Sequence, residues 1–506
     1  MRKQTKLVAV LSAASLLAIG ASMTSFAKGW TEEDGEWVYL DSDGDRVTEE
    51  WKKSGSNYYW LDEDGIMATD QIVEDDDDVY YVDATGVRVT NQWVSVPNED
   101  DDEVDGKEVD TLWYYLGSSG AAYRAKGTDE FKNSIINGKR YLFDEDGHMV
   151  SGWTYVDNDT YYLGEENEGW AHTGWQYLEI DEDEMTCPSD DDYDNEEAWF
   201  HFKSSGKARK NSRTYIGGAY YTFDENGVML DDWVSGTPGS ATPGRSFYAY
   251  DNGNQASGWV YTYENSDQDG DEEWFYMVSS NKNTAYNAGG AAANGSGSAT
   301  KYKEGDVVDK AYNSDVLAAK VIKGKTYLFD NTGVMLTGVF EFDAPVKRQG
   351  GSGDLDAGIY YFNKSGGSVE GQMETGKTTI TYDGEDYVYY FQGTGKAYTL
   401  VLKDSCLYDR LGVRVEAEDG NSNSVIDLAT LLEDDETVEI KGVDYVDGSV
   451  VVSSTGKVKK SGTVTIDGVK YEVDNYFVTK AYDKDDDNKT DLTDLYVAAT
   501  PAADAE

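Results

Sequence analysis

Along most of this chain, short runs of aromatic and β-branched residues alternate with acidic turns that contain a glycine. The pattern is clearest as YLFDEDGHMVSGW at residues 141–153, and it returns as YYTFDENGVMLDDW at 220–233 and as YLFDNTGVMLTGV at 327–339. Aromatic and β-branched residues favour strands, whereas Asp, Asn and Gly favour the tight turns that join them. Each copy therefore predicts one β-hairpin.

A unit this short cannot bury a core by itself, so neighbouring copies must share one. The sequence predicts an all-β fold in which repeated β-hairpins stack as an irregular β-solenoid. The turn glycines that mark the copies are Gly44, Gly65, Gly86, Gly120, Gly147, Gly206, Gly227, Gly333, Gly366 and Gly395, with weaker copies at Gly253, Gly412 and Gly456.

Two further positions recur after the turn glycine. A methionine follows two residues later in four copies, and we assign it to the core because its flexible thioether fills gaps between packed elements. A tryptophan follows six or seven residues later in five copies, either as a packing residue or as the wall of a ligand site between repeats. The methionines are Met67, Met149, Met229 and Met335, and the tryptophans are Trp51, Trp93, Trp153, Trp233 and Trp259.

The segment from Gly138 to Trp153, with its turn glycine, Met149 and the pair Gly152-Trp153, resembles the cell-wall-binding repeat family. That family includes choline-binding repeats and the related glucan-binding and clostridial toxin repeats. The resemblance covers most of residues 29–400. It implies a β-solenoid of stacked hairpins, noncovalent attachment to a wall polymer, and shallow aromatic sites for choline or sugar between neighbouring repeats.

Both ligand classes suit aromatic sites. A quaternary ammonium is held by cation–π attraction, and a sugar ring can stack its apolar face on an indole or a phenol. Insertions at residues 97–110 and 180–195 interrupt the repeat succession, so the choice between choline and sugar stays open. Position by position, the resemblance implies these ligand contacts: Trp51, Trp93, Trp153, Trp233 and Trp259, with the strand aromatics Trp37, Tyr58, Trp113, Trp199 and Tyr220.

The chain divides by composition into five segments. A basic start followed by an apolar stretch and small residues predicts a signal peptide at residues 1–27, and hence an exported protein without a membrane span after cleavage. A Gly/Ala/Ser linker at 287–301 separates Trp-rich repeats at 28–286 from degenerate hairpin repeats at 302–482. Residues 483–506 form an acidic tail, expected to be disordered near its end.

The formal net charge of −54 excludes one large class of partners. Phosphate binding needs a basic face, so we predict no nucleic-acid partner. The 13% aromatic content argues against general disorder, because these side chains supply apolar surface for folding. The partner that the family resemblance implies is a cell-wall polysaccharide or a teichoic-acid-type polymer.

One acidic stretch has the spacing of a calcium loop. Asp483, Asp485, Asp487, Asp491 and Asp494 occupy positions 1, 3, 5, 9 and 12 of an EF-hand-like pattern. Asn488 replaces the usual glycine and paired helices are lacking, so a solvated tail is the favoured interpretation and a calcium site the alternative. We predict no other cofactor. Residues 265–273 show a similar partial match.

No catalytic domain is predicted. The three histidines lie inside repeats without a zinc motif, and Cys187 and Cys406 are interpreted as unrelated thiols. Repeats leave no separate stretch of about 100 to 150 residues for an enzyme domain. The sequence therefore predicts a secreted, non-catalytic surface protein, noncovalently attached to the wall. The alternatives are a structural or adhesive protein that binds a host or partner protein, and a wall hydrolase.

Overall fold

The computed structural model describes residues 29–99, 102–181, 183, 185, 196–235, 245–263, 271–278, 284–286, 317–330, 332–382, 384–418 and 420–502. The predicted signal peptide, the predicted linker and Cys187 lie outside these residues. The described chain is built from β-strands and two single-turn 3₁₀ helices, Leu428–Leu431 and Thr493–Leu495, which confirms the all-β prediction. In this part of the chain no helix has the length and apolar character to span a membrane.

The chain divides into two compact units, the first ending at Leu230 and the second beginning at Asp231. In the first unit, strands consecutive in sequence pair as antiparallel hairpins, and one of these hairpins carries a smaller hairpin within its connection. The strands of the first unit are Gly29–Glu33 (β1), Glu36–Leu40 (β2), Glu50–Ser54 (β3), Asn57–Leu61 (β4), Gln71–Asp75 (β5), Asp78–Val82 (β6), Gln92–Pro97 (β7), Glu103–Val104 (β8), Lys107–Glu108 (β9), Thr111–Leu116 (β10), Lys132–Ile136 (β11), Lys139–Phe143 (β12), Trp153–Val156 (β13), Asp159–Tyr162 (β14), Gly174–Glu179 (β15), Glu197–Phe202 (β16), Ser212–Ile216 (β17), Ala219–Phe223 (β18) and Met229–Leu230 (β19).

The second unit begins with the same hairpins and ends in two five-stranded sheets, with the strand orders β34-β33-β36-β37-β42 and β35-β38-β41-β40-β39. Its strands are Asp232–Ser235 (β20), Arg245–Ala249 (β21), Gly258–Tyr263 (β22), Glu272–Val278 (β23), Thr284–Ala285 (β24), Ala318–Ile322 (β25), Lys325–Phe329 (β26), Met335–Leu336 (β27), Gly338–Phe342 (β28), Arg348–Gln349 (β29), Gly358–Phe362 (β30), Gly376–Tyr382 (β31), Glu385–Phe391 (β32), Val401–Lys403 (β33), Cys406–Tyr408 (β34), Asn423–Asp427 (β35), Val438–Ile440 (β36), Val443–Asp447 (β37), Ser449–Ser453 (β38), Gly462–Ile466 (β39), Val469–Asp474 (β40), Phe477–Asp483 (β41) and Thr500–Pro501 (β42).

The acidic turn of the repeat does not join the two long strands of a hairpin. In the β3/β4 hairpin, for example, the strands are joined at Gly55 and Ser56, and the acidic turn follows β4. There Asp62 Oδ1 accepts the backbone N–H groups of Asp64 and Ile66, and Gly65 adopts a φ of 76°. The turn returns the chain to a single antiparallel bridge with the end of β4. The repeat is therefore a hairpin followed by a short third rung.

Successive hairpins are joined through this third rung. Its backbone N–H donates to a carbonyl in the second strand of the preceding hairpin, as from Met67 to Trp37 at 2.7 Å and from Ala397 to Ile359 at 2.8 Å. The same bond recurs from Arg88 to Tyr58 and from Met149 to Trp113. The same hydrogen bond thus recurs from repeat to repeat and fixes the register of each hairpin on the preceding one. Neighbouring hairpins therefore share a core within each unit.

The cores of both units consist of strand side chains that point away from solvent. In the first unit the largest cluster runs through Leu112, Leu116 and Leu142, and in the second unit Phe275 and Phe362 lie in the main cluster. Met149 and Met335 are buried, in line with their assignment to the core, whereas Met67 and Met229 are half-buried.

The last part of the chain departs from the predicted hairpin repeats and acidic tail. From Asn423 onward the strands join wider sheets, and β42 pairs with β37. Leu492 and Tyr496 pack against the apolar cluster of β40 and β41. The expectation of a disordered end does not hold as far as residue 502, because these apolar side chains cover the second sheet.

The predicted domain boundaries also differ from the compact units. The boundary between the two compact units follows Leu230 and does not coincide with the predicted linker at residues 287–301. Apolar clusters connect Phe275 and Met277, before the linker, with Leu328 and Phe340 after it. The Trp-rich segment and the later hairpins therefore share one core in the second unit.

Candidate functional site

Four sets of side chains recur at the same register and are called aromatic quartets. Each contains a tryptophan from the first strand of a hairpin, a tryptophan from its second strand, a tyrosine from the next hairpin and a methionine from the next third rung. Within the described residues, the quartets are Trp30/Trp37/Tyr59/Met67, Trp93/Trp113/Tyr141/Met149, Trp175/Trp199/Tyr221/Met229 and Trp259/Trp274/Tyr327/Met335.

In three of the quartets the two tryptophans form a corner. The Trp93 and Trp113 ring centroids lie 6.5 Å apart at 76°, and those of Trp259 and Trp274 lie 6.2 Å apart at 87°. The Trp175 ring meets Trp199 in the same way, at 6.3 Å and 85°. Two indole rings at nearly a right angle border a small volume on two sides, whereas a single ring would border it on one.

The tyrosine closes a further side of each corner. Its ring centroid lies 4.8 Å from the first tryptophan for Tyr141, 4.6 Å for Tyr221 and 4.8 Å for Tyr327. In the first quartet, Tyr59 lies 5.2 Å from Trp30. These contacts join consecutive hairpins, so a quartet exists only where two hairpins stack.

The methionine completes the quartet from the third rung. Met149 shares an apolar cluster with Trp93, Trp113 and Tyr141, and Met335 shares one with the rings of its own quartet. Strand β19, which carries Met229, lies against β16, the strand of Trp199. The thioether supplies a polarizable, uncharged contact.

Polar partners fix the orientation of the second tryptophan in two quartets. Trp113 donates its indole N–H to Asn167 Oδ1 at 2.9 Å, and Trp274 donates to Glu370 Oε2 at 3.2 Å. Burial raises the pKa of Tyr141 and of Tyr327, so both phenols stay neutral at physiological pH. The quartets are therefore uncharged aromatic corners in a strongly acidic chain.

Exposed rings border the corner in the Trp175 and Trp259 quartets. Trp199 is 43% exposed, and the ring of Tyr177, which is 50% exposed, lies 5.2 Å from it. Trp274 has an equivalent neighbour in Tyr261, which is 51% exposed, at 5.0 Å. The insertions that interrupt the sequence repeat lie in sequence between the two strands of a hairpin, and the flanking strands keep the quartet register.

The structure places five predicted ligand residues in aromatic quartets. These are Trp37, Trp93, Trp113, Trp199 and Trp259. Trp51 and Tyr58 occupy the same register in a fifth set, in which Arg88 stands where the quartets have methionine. For all of these residues the ligand role itself stays a prediction.

Three predicted ligand residues lie elsewhere. Trp153 is 9% exposed and packs on Phe200 at 4.8 Å, and Trp233 packs on Phe275 at 4.7 Å. Tyr220 lies on the opposite face of β18 from the quartet tyrosine, because strand side chains alternate, and its ring faces Arg213. These three residues are outside the quartets, and their ligand role also stays a prediction.

Several quartet members were not predicted from the sequence as ligand contacts. Trp30, Trp175, Trp274 and the four quartet tyrosines were not among the predicted contacts, and the four methionines were assigned to the core alone. A local signal was available: the second strand of each quartet hairpin contains WVYL, WYYL, WFHF or WFYM, a four-residue run that begins with the tryptophan. The next hairpin then supplies tyrosine one position later in the same alignment.

The predicted calcium loop is folded without a shared ligand centre. Asp483 Oδ1 accepts the N–H of Asp485, and Asp491 accepts the N–H of Ala481 and the hydroxyl of Tyr496. Among the described residues, the carboxylates of Asp483, Asp485, Asp487, Asp491 and Asp494 do not gather within metal-ligand distance. Calcium binding there stays a prediction that this geometry does not favour.

A different acidic group has suitable spacing. Asp144, Asp146 and His148 place one ligand atom each within 4.8 Å of one another. Asp144 Oδ1 is already used by the turn, where it accepts two backbone N–H groups, and its Oδ2 lies 3.2 Å from His148 Nδ1. His148 Nε2 contacts the Tyr114 hydroxyl at 2.8 Å. These contacts make the cluster a part of the turn.

The repeats of this chain are similar in sequence to those of known proteins. A family model described as a choline-binding repeat matches residues 47–93 and 134–180. The chain is 23% identical over 332 residues to Glucosyltransferase-S of Streptococcus mutans, a match that covers 57% of this chain and 19% of that protein. The chain thus spans less than a fifth of that relative's length.

Two solved structures are similar in part. The modular autolysin LytC of Streptococcus pneumoniae shows 18% identity and a TM-score of 0.34, covering 61% of this chain and 52% of that one. Choline binding protein F of Streptococcus pneumoniae shows 17% identity and a TM-score of 0.27, covering 78% of this chain and 100% of that one.

The repeat match falls on the structural repeats themselves. Residues 47–93 span the hairpins that carry Tyr59 and Met67, and residues 134–180 carry Tyr141, Met149 and Trp175. The matched segments therefore contain members of three aromatic quartets. Residues 47–93 and 134–180 thus match choline-binding repeats, in line with the predicted resemblance to the cell-wall-binding repeats of Gram-positive bacteria.

Proposed function

We propose that this chain is a secreted, non-catalytic protein that attaches noncovalently to a wall polymer carrying quaternary ammonium groups, such as a choline-substituted teichoic-acid-type polymer. The observation that carries the proposal is the recurrence of two tryptophans, a tyrosine and a methionine at one register in four places, with the tryptophans forming an uncharged corner in three of them. The stacked hairpins that build these corners favour a β-solenoid arrangement of the repeats within each unit.

A quaternary ammonium suits such a corner for a physical reason. It cannot donate a strong hydrogen bond, so it binds best where ring faces surround it and no polar partner is required. Each good cation–π contact contributes on the order of 0.5–2 kcal/mol. The negative charge of the chain raises the local cation concentration, and several weak sites on one chain act together on a polymer that repeats its ligand.

Glycan binding is the second candidate. The exposed ring pair of Tyr177 and Trp199 offers open faces on which a sugar could stack. The sequence similarity to Glucosyltransferase-S keeps an enzyme, such as a wall hydrolase or a transferase, as a further alternative. A structural or adhesive role with a protein partner is the remaining alternative.

A sedimentation assay on purified cell walls tests the proposal. Wild-type full-length protein is expected to sediment with choline-containing walls, to be released by free choline, and to remain bound in the presence of glucan. Removing one ring contact by Trp93→Ala should weaken binding about 2- to 30-fold, and adding Trp259→Ala should weaken it further. Tyr215→Ala is the matched control, because that ring is 62% exposed and lies outside the quartets.

Three outcomes would contradict the proposal in different ways. Release by glucan but not by choline would favour sugar binding. Failure of the protein to sediment with walls would favour a protein partner. Equal loss in the Trp93→Ala and Tyr215→Ala variants would show that the quartets are not the contact surface.

A further inference from the structure

A fifth set of rings already surrounds a cation of the chain itself. Trp51, Tyr58 and Tyr80 occupy the positions of the two tryptophans and the tyrosine of a quartet, and Arg88 occupies the position of the methionine. The Arg88 guanidinium carbon lies 4.2 Å from the Tyr58 ring centroid, 5.0 Å from that of Trp51 and 5.5 Å from that of Tyr80. We call this set the arginine cage.

The backbone holds Arg88 in this place. Its N–H donates to the Tyr58 carbonyl at 2.9 Å, the same bond that positions Met149 on Trp113. The indole N–H of Trp51 donates to Asp75 Oδ2 at 3.1 Å, which fixes the ring beneath the guanidinium. Arg88 therefore enters the cage because of the repeat register.

The side chain of Arg88 has no other anchor among the described residues. It forms no ion pair there, and its buried Nε has no hydrogen-bond partner. Gly120, in the following turn, leaves room for it, since a Cβ at that position would lie 2.8 Å from Arg88 Nε. The three ring faces are thus the main partners of this charge, as they would be for a bound ammonium.

The four aromatic quartets differ at this one point. Within the described residues, no lysine or arginine lies over a ring of the Trp93, Trp175 or Trp259 quartets, whereas the arginine cage has three such contacts from one side chain. An uncharged methionine leaves the corner available for an external cation. A guanidinium takes the place of that cation and also repels it.

We propose that Arg88 is a built-in ligand of the arginine cage, which closes this site to quaternary ammonium while the same cation–π contacts join two hairpins. The residue two positions after the turn glycine then determines whether the surrounding rings bind an external ligand or the side chain of that residue. This inference rests on the proposed function, because it assumes that the methionine quartets accept an ammonium group.

The test is to replace Arg88 with the residue found in the four quartets. Arg88→Met in the full-length protein should open the cage and add one tetramethylammonium site per chain, measured by equilibrium dialysis and isothermal titration calorimetry. Trp51→Ala combined with Arg88→Met should remove the added site. Arg88→Gln, which keeps a long side chain without the charge, is measured in parallel in case the methionine variant folds poorly.

Arg46→Met is the matched control. Arg46 occupies the same turn position two repeat lengths earlier, but it pairs with Glu33 at 2.7 Å and lies in no cage of three rings. This variant should gain no site. Arg88→Lys, which keeps a cation in place, should also gain none.

The outcomes separate the inference from the proposed function. If wild-type protein binds tetramethylammonium and neither Arg88→Met nor Arg88→Gln adds a site while circular dichroism shows an intact fold, the inference is overturned and the proposed function stands. If Arg46→Met gains the same site as Arg88→Met, loss of charge is the cause and the inference is overturned. If no protein binds the probe, the proposed function is overturned and the inference falls with it.

Discussion

At the scale of single residues, the third rung of the repeat assigns distinct tasks to neighbouring positions. The aspartate three residues before the glycine accepts backbone N–H groups and shapes the turn, as Asp62 does. The glycine supplies the left-handed backbone, and the residue two positions later points between two hairpins. Methionine at that point leaves an aromatic corner open, whereas Arg88 fills one. A substitution at this one position can therefore change what the surrounding rings bind without changing the backbone of the repeat.

The turn aspartates should stabilise the fold measurably where they are buried. Asp330 is 2% exposed, and its Oδ1 accepts the N–H groups of Thr332, Gly333 and Val334 at 2.8–2.9 Å. Asp330→Ala should lower the free energy of unfolding of the second unit by about 1–3 kcal/mol, because these donors lose their shared acceptor. Urea unfolding followed by circular dichroism measures this change.

Asp330→Asn is the control for that experiment, because its side-chain oxygen can still accept the same three bonds. It should be the more stable of the two variants. Equal destabilisation of both would show that the negative charge, and not the acceptor geometry, sustains the turn.

At the scale of elements, the hairpin is the unit of secondary structure but the stacked pair is the unit of the site. Each quartet takes its tryptophans from one hairpin and its tyrosine and methionine from the next, as with Trp259 and Tyr327 at 4.8 Å. Strands β7 and β10 pair in register although a long stretch of sequence separates them, and Met149 of the next repeat still donates its N–H to the Trp113 carbonyl. Insertions in the sequence are therefore compatible with an intact site.

The inter-hairpin hydrogen bond should be essential to this stacking. Ala397 is 1% exposed and donates its N–H to the Ile359 carbonyl at 2.8 Å. Ala397→Pro removes the donor and leaves a buried carbonyl unpaired, which should cost about 1–3 kcal/mol. Hydrogen exchange should then accelerate in β30 and in the hairpin of β31 and β32.

Ala397→Gly keeps the donor and is the matched control, so its exchange protection in β30 should stay closer to that of the wild type. Unchanged protection in the proline variant would mean that side-chain packing alone holds the two hairpins together.

At the scale of the whole molecule, the chain combines a high negative charge with an interior rich in tyrosine. The formal net charge of −54 opposes compaction by self-repulsion and favours cations over anions as partners. The aromatic interior offsets this repulsion, and it makes the fold sensitive to alkaline pH.

Burial raises the pKa of Tyr286, Tyr360 and Tyr408 to about 12 in each case. In the unfolded chain a tyrosine ionises near 10, so the folded state holds these protons more tightly. Their contribution to stability is complete below pH of about 10 and is lost as the pH rises toward 12. The urea midpoint of the second unit should therefore fall over this window.

Tyrosinate absorbance and far-ultraviolet circular dichroism, recorded together, check this expectation. Ionisation of the buried tyrosines should coincide with loss of strand signal. Complete ionisation near pH 10 with the strand signal retained would contradict it.

The sequence by itself determined the class of the fold and the kind of repeat. Alternating aromatic strands and Asp-x-x-Gly turns are local signals, because strand preference and left-handed turn geometry depend on a few adjacent residues. The same signals identified Trp93 and Trp259 as site candidates. They did not reveal that residues 423–501 leave the repeat pattern for wider sheets, since strand pairing at that range has no local signature.

Only the tertiary structure decided which rings meet. Trp153 and Trp93 occupy the same place in the sequence repeat, but Trp153 lies in a core beside Phe200 and Trp93 forms a corner with Trp113. The two tryptophans differ in their surroundings because the partner strand and the next hairpin bring different side chains to them. The position of a residue in the sequence repeat does not specify those side chains. The presence of Arg88 among three rings is decided in the same way, because a contact between stacked hairpins depends on their register and on the side chains that each one brings to it.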